Sequence, residues 1–399
     1  MRKITAILPL FLILTGCVYE YNAEVPAKDI DRLVVDGDIK IGEETTVNLS
    51  GVRPLGTSAA SSSIDFTGAS VWVEGEDGTS IDGVSASGVD GKFTVDTRDA
   101  SPSVRYRLNI SIPSRGRNYR TEWLEVQTDS SIDDLYFKVD EDGGSLNFFF
   151  DISSKNCKYF RWYFDEEWEY TSEYKATLLY ERVKYVDENG REHTGVVYDM
   201  PEDMNTYYCW NRKLSTDINM MTTDNMSVNN LVAHKFNTIG FTDKRLSYIY
   251  RVSLYFFPVS QEGYDYWTQV KKNSNASGSL FSTVPSEMTG NVICVEDPDE
   301  RVVGYVDASL QQKKVLYYWD IDNKYYINTT TNEDKALELT GIADESKWTS
   351  LYYSGYIPVY PDWGMSGYSG YFWGRGRCVD CTLLGGDKNR PDDWPTSDR

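Results

Sequence analysis

Tyr106-Arg107-Leu108-Asn109-Ile110-Ser111-Ile112 alternates apolar and polar side chains without a break. A β-strand sends successive side chains to opposite faces, so Tyr106, Leu108, Ile110 and Ile112 fall on one side. That side is core. Upstream, Leu33-Val34-Val35-Asp36-Gly37-Asp38-Ile39, Thr46-Val47-Asn48-Leu49, Ala69-Ser70-Val71-Trp72-Val73 and Gly91-Lys92-Phe93-Thr94-Val95 are short strand-like runs divided by Gly, Ser, Asp and Asn clusters. This spacing predicts an antiparallel β-sandwich, immunoglobulin-like or transthyretin-like, over residues 31–130. The Ser-rich stretch Thr57 to Ser63 is its longest expected loop.

A larger β-rich domain with one or two short helices is expected over residues 131–399. Leu135 to Val139 and Leu146 to Ile152 flank Asp140-Glu141-Asp142-Gly143-Gly144, and Thr177 to Val186 with Thr194 to Tyr198 flank Asp187-Glu188-Asn189-Gly190; both read as hairpins. Tyr159-Phe160-Arg161-Trp162-Tyr163-Phe164 is too aromatic for a helix by preference and suits a half-buried strand, as does Tyr248 to Phe257. After Pro258, Ser260 can cap a helix in which Tyr264, Trp267 and Val270 recur every three residues. Ala336 to Leu339 adds a turn of another. The chain as a whole is mostly β.

The N-terminus reads as a targeting segment. Arg2 and Lys3 precede an apolar run from Ile4 to Leu14, and Leu14-Thr15-Gly16-Cys17 fits a lipobox. The run is far shorter than the ~20 residues of a spanning helix. Residues 1–16 are thus expected to be a lipoprotein signal peptide, with Cys17 lipidated by acyl chains such as palmitate and residues 17–30 forming a tether to the membrane. The formal charge of −21, from 61 acidic and 40 basic residues, becomes more negative once Arg2 and Lys3 are removed. Such an excess repels nucleic acid, which is excluded as a partner.

Export would place Cys157, Cys209, Cys294, Cys378 and Cys381 where disulfides form. Five is odd, so one thiol at least stays single or pairs between chains. Cys378-Val-Asp-Cys381 is read as a local disulfide, with single thiols or metal and redox chemistry as alternatives. A zinc site would need two more ligands, and His193 and His234 are the only histidines. Neither histidine sits beside a nucleophile signature such as GxSxG, and both read as structural. Asp320-Ile321-Asp322-Asn323 lacks the glycine and closing glutamate of a calcium loop. No P-loop, dinucleotide fingerprint or HExxH occurs. Catalytic residues, metal ligands and cofactors are therefore not assigned.

Trp348, Tyr352, Tyr353, Tyr356, Tyr360, Trp363, Tyr368, Tyr371, Phe372 and Trp373 crowd into one stretch interleaved with Gly, Ser and Pro. Rings held in loops with free polar tips serve as interface anchors or sugar platforms. Trp348, Tyr352, Tyr356, Tyr360, Trp363 and Trp373 are the candidate contacts to a partner protein, a glycan or a small ligand. The competing expectation is that they close a β-core.

Several segments in register resemble the Bacteroidota lipoproteins grouped as domain of unknown function family 4249. They are Leu33-Val34-Val35-Asp36-Gly37, Cys209-Trp210, Tyr264-Asp265-Tyr266-Trp267, Gly278 through Asn291, Val303-Gly304-Tyr305-Val306-Asp307-Ala308-Ser309, and the ending from Cys378-Val379-Asp380-Cys381 through Gly385-Gly386 to Pro391-Asp392-Asp393-Trp394. The resemblance implies a companion of TonB-dependent outer-membrane transporters with no established enzymatic activity. Anchor, acidity and β pattern together lead to the expectation of a non-catalytic accessory or ligand-capture lipoprotein of the outer membrane. The alternatives are a structural or assembly lipoprotein acting through protein contacts and, further off, a glycoside hydrolase using paired carboxylates.

Overall fold

The computed structural model describes residues 32–52, 64–193, 195–276, 290–319 and 340–395. Cys17, its tether, the Ser-rich stretch, the 320–323 acidic turn and the 336–339 turn lie outside them. The described chain is mostly β, in antiparallel sheets. Among the described residues no helix is long and apolar enough to cross a membrane.

The alternating stretch Tyr106–Ile112 is a strand, with Tyr106, Leu108, Ile110 and Ile112 all buried. It belongs to an eight-stranded sheet that bends at Ser80–Ser85. The first half of that strand pairs with Ser70–Gly75 and the second half with Lys92–Asp96. The inward side chains of both halves, among them Val35, Val47, Leu49, Val73, Phe93, Val95 and Tyr119, form a single core.

A later part of the chain completes this first body. Val292–Cys294 pairs with Arg117–Thr121 as its eighth strand, Ala308–Leu310 runs parallel to Ile39–Ile41, and Val302, Val306 and Ala308 enter the same core. The division at residue 130 is thus crossed by the chain on its return. The close approach needs glycine: a Cβ on Gly304, whose φ is +130°, would stand 1.9 Å from the Val35 carbonyl oxygen, and one on Gly290 would stand 1.8 Å from that of Gly304. Three of the sequence segments that carried the family resemblance, 33–37, 264–267 and 303–309, meet at this junction.

The second body stacks two sheets. One holds Tyr208–Leu214, Tyr159–Thr171, Ile249–Pro258 and Gln312–Trp319 with Asn219–Thr222 at its side; the other holds Asn230–Gly240, Ser145–Ser153 and Ser131–Val139. Rings interdigitate between them: Phe148 against Tyr250 at 5.2 Å, Phe150 against Phe256 at 5.8 Å and Phe137 against Tyr318 at 5.4 Å. The aromatic run Tyr159–Phe164 continues as a strand to Thr171, through the acidic stretch Asp165-Glu166-Glu167. Neighbouring arginines make this stable: Asp165 pairs with Arg212, Glu166 with Arg245 and Glu167 with Arg251. A buried carboxylate persists in a strand when a fixed guanidinium answers it.

The hairpin signal at Asp140–Gly144 joins Ser131–Val139 to Ser145–Ser153. That at Asp187–Gly190 links Tyr185–Val186 to Glu192–His193, and Leu178–Glu181 pairs with Val196–Asp199 below it. The expected helix is Gln261–Ala276, and Ser260 caps it by accepting the Gly263 N–H at 3.0 Å.

Candidate functional site: an exposed aromatic hairpin

The aromatic stretch is more ordered than its Gly and Pro content implied. Tyr356–Gly364 and Gly367–Arg375 form a hairpin closed by the two-residue turn Met365-Ser366, and Thr340–Ile342 adds a third strand. Gly367, with φ +109°, supplies the left-handed backbone that such a tight turn needs. Pro358 and Pro361 are tolerated because Tyr356–Gly364 is an edge strand. A bulge at Ser369 shifts the alternation, so that Tyr368 shares the face of Tyr371, their rings 5.3 Å apart.

That face carries a continuous ring contact from core to solvent. Trp373 is 0% exposed and packs on Tyr180 at 5.7 Å and on Trp348 at 6.5 Å; Trp348 meets Tyr371 at 5.3 Å; Tyr368 meets Trp363 at 5.8 Å. Tyr180 is fixed by a 2.7 Å hydrogen bond to Thr349 and by Gly195, where any Cβ would strike its ring. At the outer end Trp363 is 72% exposed, Tyr368 50%, and Met365 fully so. No charged residue occurs from Trp363 to Gly374, in a chain of net charge −21.

The six proposed contact residues therefore divide. Trp348 and Trp373 are buried and belong to the core, a correction that follows from their facing Leu178, Tyr180 and Val197. Trp363, Tyr352 and Tyr360 are exposed, and Tyr356 is half-buried. Met365 was missed. Its signal was the Gly364-Met365-Ser366-Gly367 turn, which presents the central side chains outward.

The base of the hairpin is held by a disulfide, and here too the sequence expectation is corrected. Cys381 bonds to Cys209, with Cα atoms 5.8 Å apart, and not to Cys378. Cys378 sits buried in the short helix Gly376–Val379. Asp380 is extended between that helix and the 3-10 turn Cys381–Leu384, which carries Cys381 away from Cys378 and onto the strand Tyr208–Leu214, next to Tyr170. Hydrogen bonds fix the segment there: Tyr170 O–H to the Cys381 carbonyl at 3.0 Å, Ser172 O–H to that of Val379 at 2.9 Å. The tail ends in a clamp. The Trp394 indole N–H donates to Glu169 at 3.0 Å beneath the Arg251 guanidinium, which also holds Asp393 at 2.6 Å.

Beside the hairpin, His193 stacks on Tyr185 and lies between Glu345, 2.6 Å from Nδ1, and Asp187, 3.3 Å from Nε2. The Glu345 bond, then that of Asp187, raises the imidazole above its ordinary pKa. Asp187 is held down at about 2, chiefly by the Arg191 backbone N–H. His234 lies between Phe150 and Trp162, and burial lowers it. Among the described residues no group of three or more His, Cys, Asp or Glu is placed to hold a metal ion.

A family model described as Domain of unknown function (DUF4249) matches residues 18–315. No curated protein matches. Among solved structures, a DUF4785 family protein from Legionella pneumophila is 10% identical, with 56% of this chain and 50% of that one covered at a TM-score of 0.15. Trypsin-activated alpha-2-macroglobulin from Escherichia coli is 9% identical, with 59% of this chain and 15% of that one covered at a TM-score of 0.16. The chain thus spans half the length of the first or less, and at these scores neither likeness bears on fold or function.

Proposed function

The chain belongs to the DUF4249 family, and we propose that it is a lipid-anchored, non-catalytic accessory or ligand-capture protein of the outer membrane, working beside a TonB-dependent transporter. In this reading it grips its partner with the tip of the Tyr356–Arg375 hairpin. The observation that carries the reading is the uncharged, aromatic tip, exposed at Trp363, Met365 and Tyr368 and braced from behind by buried Trp348 and Trp373. Interface energy concentrates on Trp and Tyr because large rings are desolvated at little entropic cost, whereas charges resist desolvation. A rigid support makes the gain larger, since the rings are ordered before the partner arrives.

Affinity capture from mildly solubilised membranes tests the proposal. The wild-type chain should co-purify with a transporter, and Trp363→Ala should weaken that association by about 2 kcal/mol or more, roughly 30-fold, without shifting the unfolding midpoint. Recovery of the chain alone, under conditions that keep known transporter complexes intact, would favour a structural lipoprotein. Co-purification untouched by Trp363→Ala would reject the hairpin as the contact.

The anchor is tested separately. Cys17→Ala should move the protein from the membrane to the soluble fraction, and retention of that variant after a high-salt wash would count against lipidation.

A further inference from the structure

The junction between the two bodies holds more buried acid than base. Asp38 is 9% exposed and Asp307 3%, and the Asp307 N–H donates to Asp38 Oδ1 at 3.1 Å. Among the described residues one cation, Arg161, answers them. Arg161, from the central strand of the second body, places Nη1 3.1 Å from Asp38 Oδ2, while its guanidinium stacks 4.0 Å from the Trp267 ring centre. Asp307 Oδ1 accepts the Ser260 O–H at 2.6 Å and N–H at 3.1 Å. Its Oδ2 is buried with no hydrogen-bond partner among the described residues, and it fits because residue 263 is glycine: a Cβ there would stand 2.1 Å away. Beyond Ser260 lie the Tyr305 hydroxyl, 3.3 Å from Ser260 Oγ, and Glu262; Lys40 turns away to Tyr163.

Two buried carboxylates facing one guanidinium leave an uncompensated negative charge, which a low-dielectric site resists. A proton on Asp307 Oδ2 removes it. We propose that Asp307 is a carboxylic acid in the folded junction, and that losing this proton loosens the hold of the returning segment, residues 302–310, on the first sheet. The elements that would respond are the paired stretches at Val34 with Val303 and at Ile39 with Ala308, which this cluster overlies.

Burial first, then the charge of Asp38, push the Asp307 carboxyl from 3.8 up to about 7, against the Ser260 hydrogen bonds that favour the ion. The folded chain then binds one proton more than the unfolded chain between these values. The associated stability is fully present below 3.8 and is lost as pH rises through about 7, at up to tenfold in the folding equilibrium per pH unit.

The experiment compares the full chain with D307N and D38N. Unfolding midpoints across pH 4 to 8, amide exchange of residues 33–41 and 302–310 corrected for its intrinsic pH dependence, and the infrared band of a protonated carboxyl are the readouts. The wild type should lose stability and exchange protection towards pH 8, D307N should abolish that contribution and the band, and D38N should move the transition to lower pH. If D307N does not fold, D38N and the wild-type band decide. A slope unchanged in D307N, no protonated carboxyl in the wild type at pH 6, or no acid shift in D38N would each overturn the proposal.

Discussion

Replacing Cys209 and Cys381 with serine, or reducing the bond between them, is expected to cost the folded protein up to about 5 kcal/mol. The size comes from the loop that the bond closes. The two cysteines are 172 residues apart, and the chain entropy that a cross-link removes from the unfolded state grows with the logarithm of loop length. Residual structure in the unfolded chain makes this value a ceiling. The effect should also be local in its first stage: the bond fixes the segment that leads from the hairpin to the Trp394 clamp, so its loss should free residues 376–395 before the sheets open. Denaturant melts of oxidised and reduced protein measure the cost, and mass mapping without reduction should find Cys209 joined to Cys381. Identical midpoints for the two forms, or a map showing both thiols alkylated, would refute the expectation.

The pairing was not legible in the sequence for a physical reason. CxxC spacing suggests a local bond, but whether two neighbouring cysteines meet depends on backbone conformation between them, and Asp380 is extended, with φ −119° and ψ 107°. By contrast, the strands of the first body were legible because one buried face forces strict alternation, as at Tyr106–Ile112. The helix was legible at its start, since Ser260 has a capping role that a sequence can show. What Ser260 also does, donating to Asp307, required the fold. The acidic run Asp165-Glu166-Glu167 hid half of the longest strand, because the arginines that neutralise it come from residues 212, 245 and 251. The hairpin was obscured by its prolines and glycines, which an edge strand and a tight turn accommodate.

Trp373→Ala is expected to destabilise the protein by about 3–5 kcal/mol, the range for removing a fully buried large aromatic side chain. Trp373 is 0% exposed and joins Tyr180, Trp348, Leu178 and Val197 in one core, so truncation leaves a cavity between the hairpin and the Leu178–Glu181 strand. Part of the loss is offset, because the indole N–H is buried with no hydrogen-bond partner among the described residues and its removal relieves that cost. Trp363→Ala, ten residues earlier on the other strand, should change stability by less than about 0.5 kcal/mol, as expected for an exposed site. The two variants separate support from contact. If the hairpin binds a partner, Trp363→Ala weakens binding with the fold intact, whereas Trp373→Ala weakens binding only as far as it unseats Tyr371 and Tyr368 from the face they share. Calorimetric or denaturant midpoints for both variants, read beside their capture yields, test the division. A Trp373→Ala protein as stable as the wild type would show that the ring stack does not brace the tip, and the argument for a preorganised contact would fail with it.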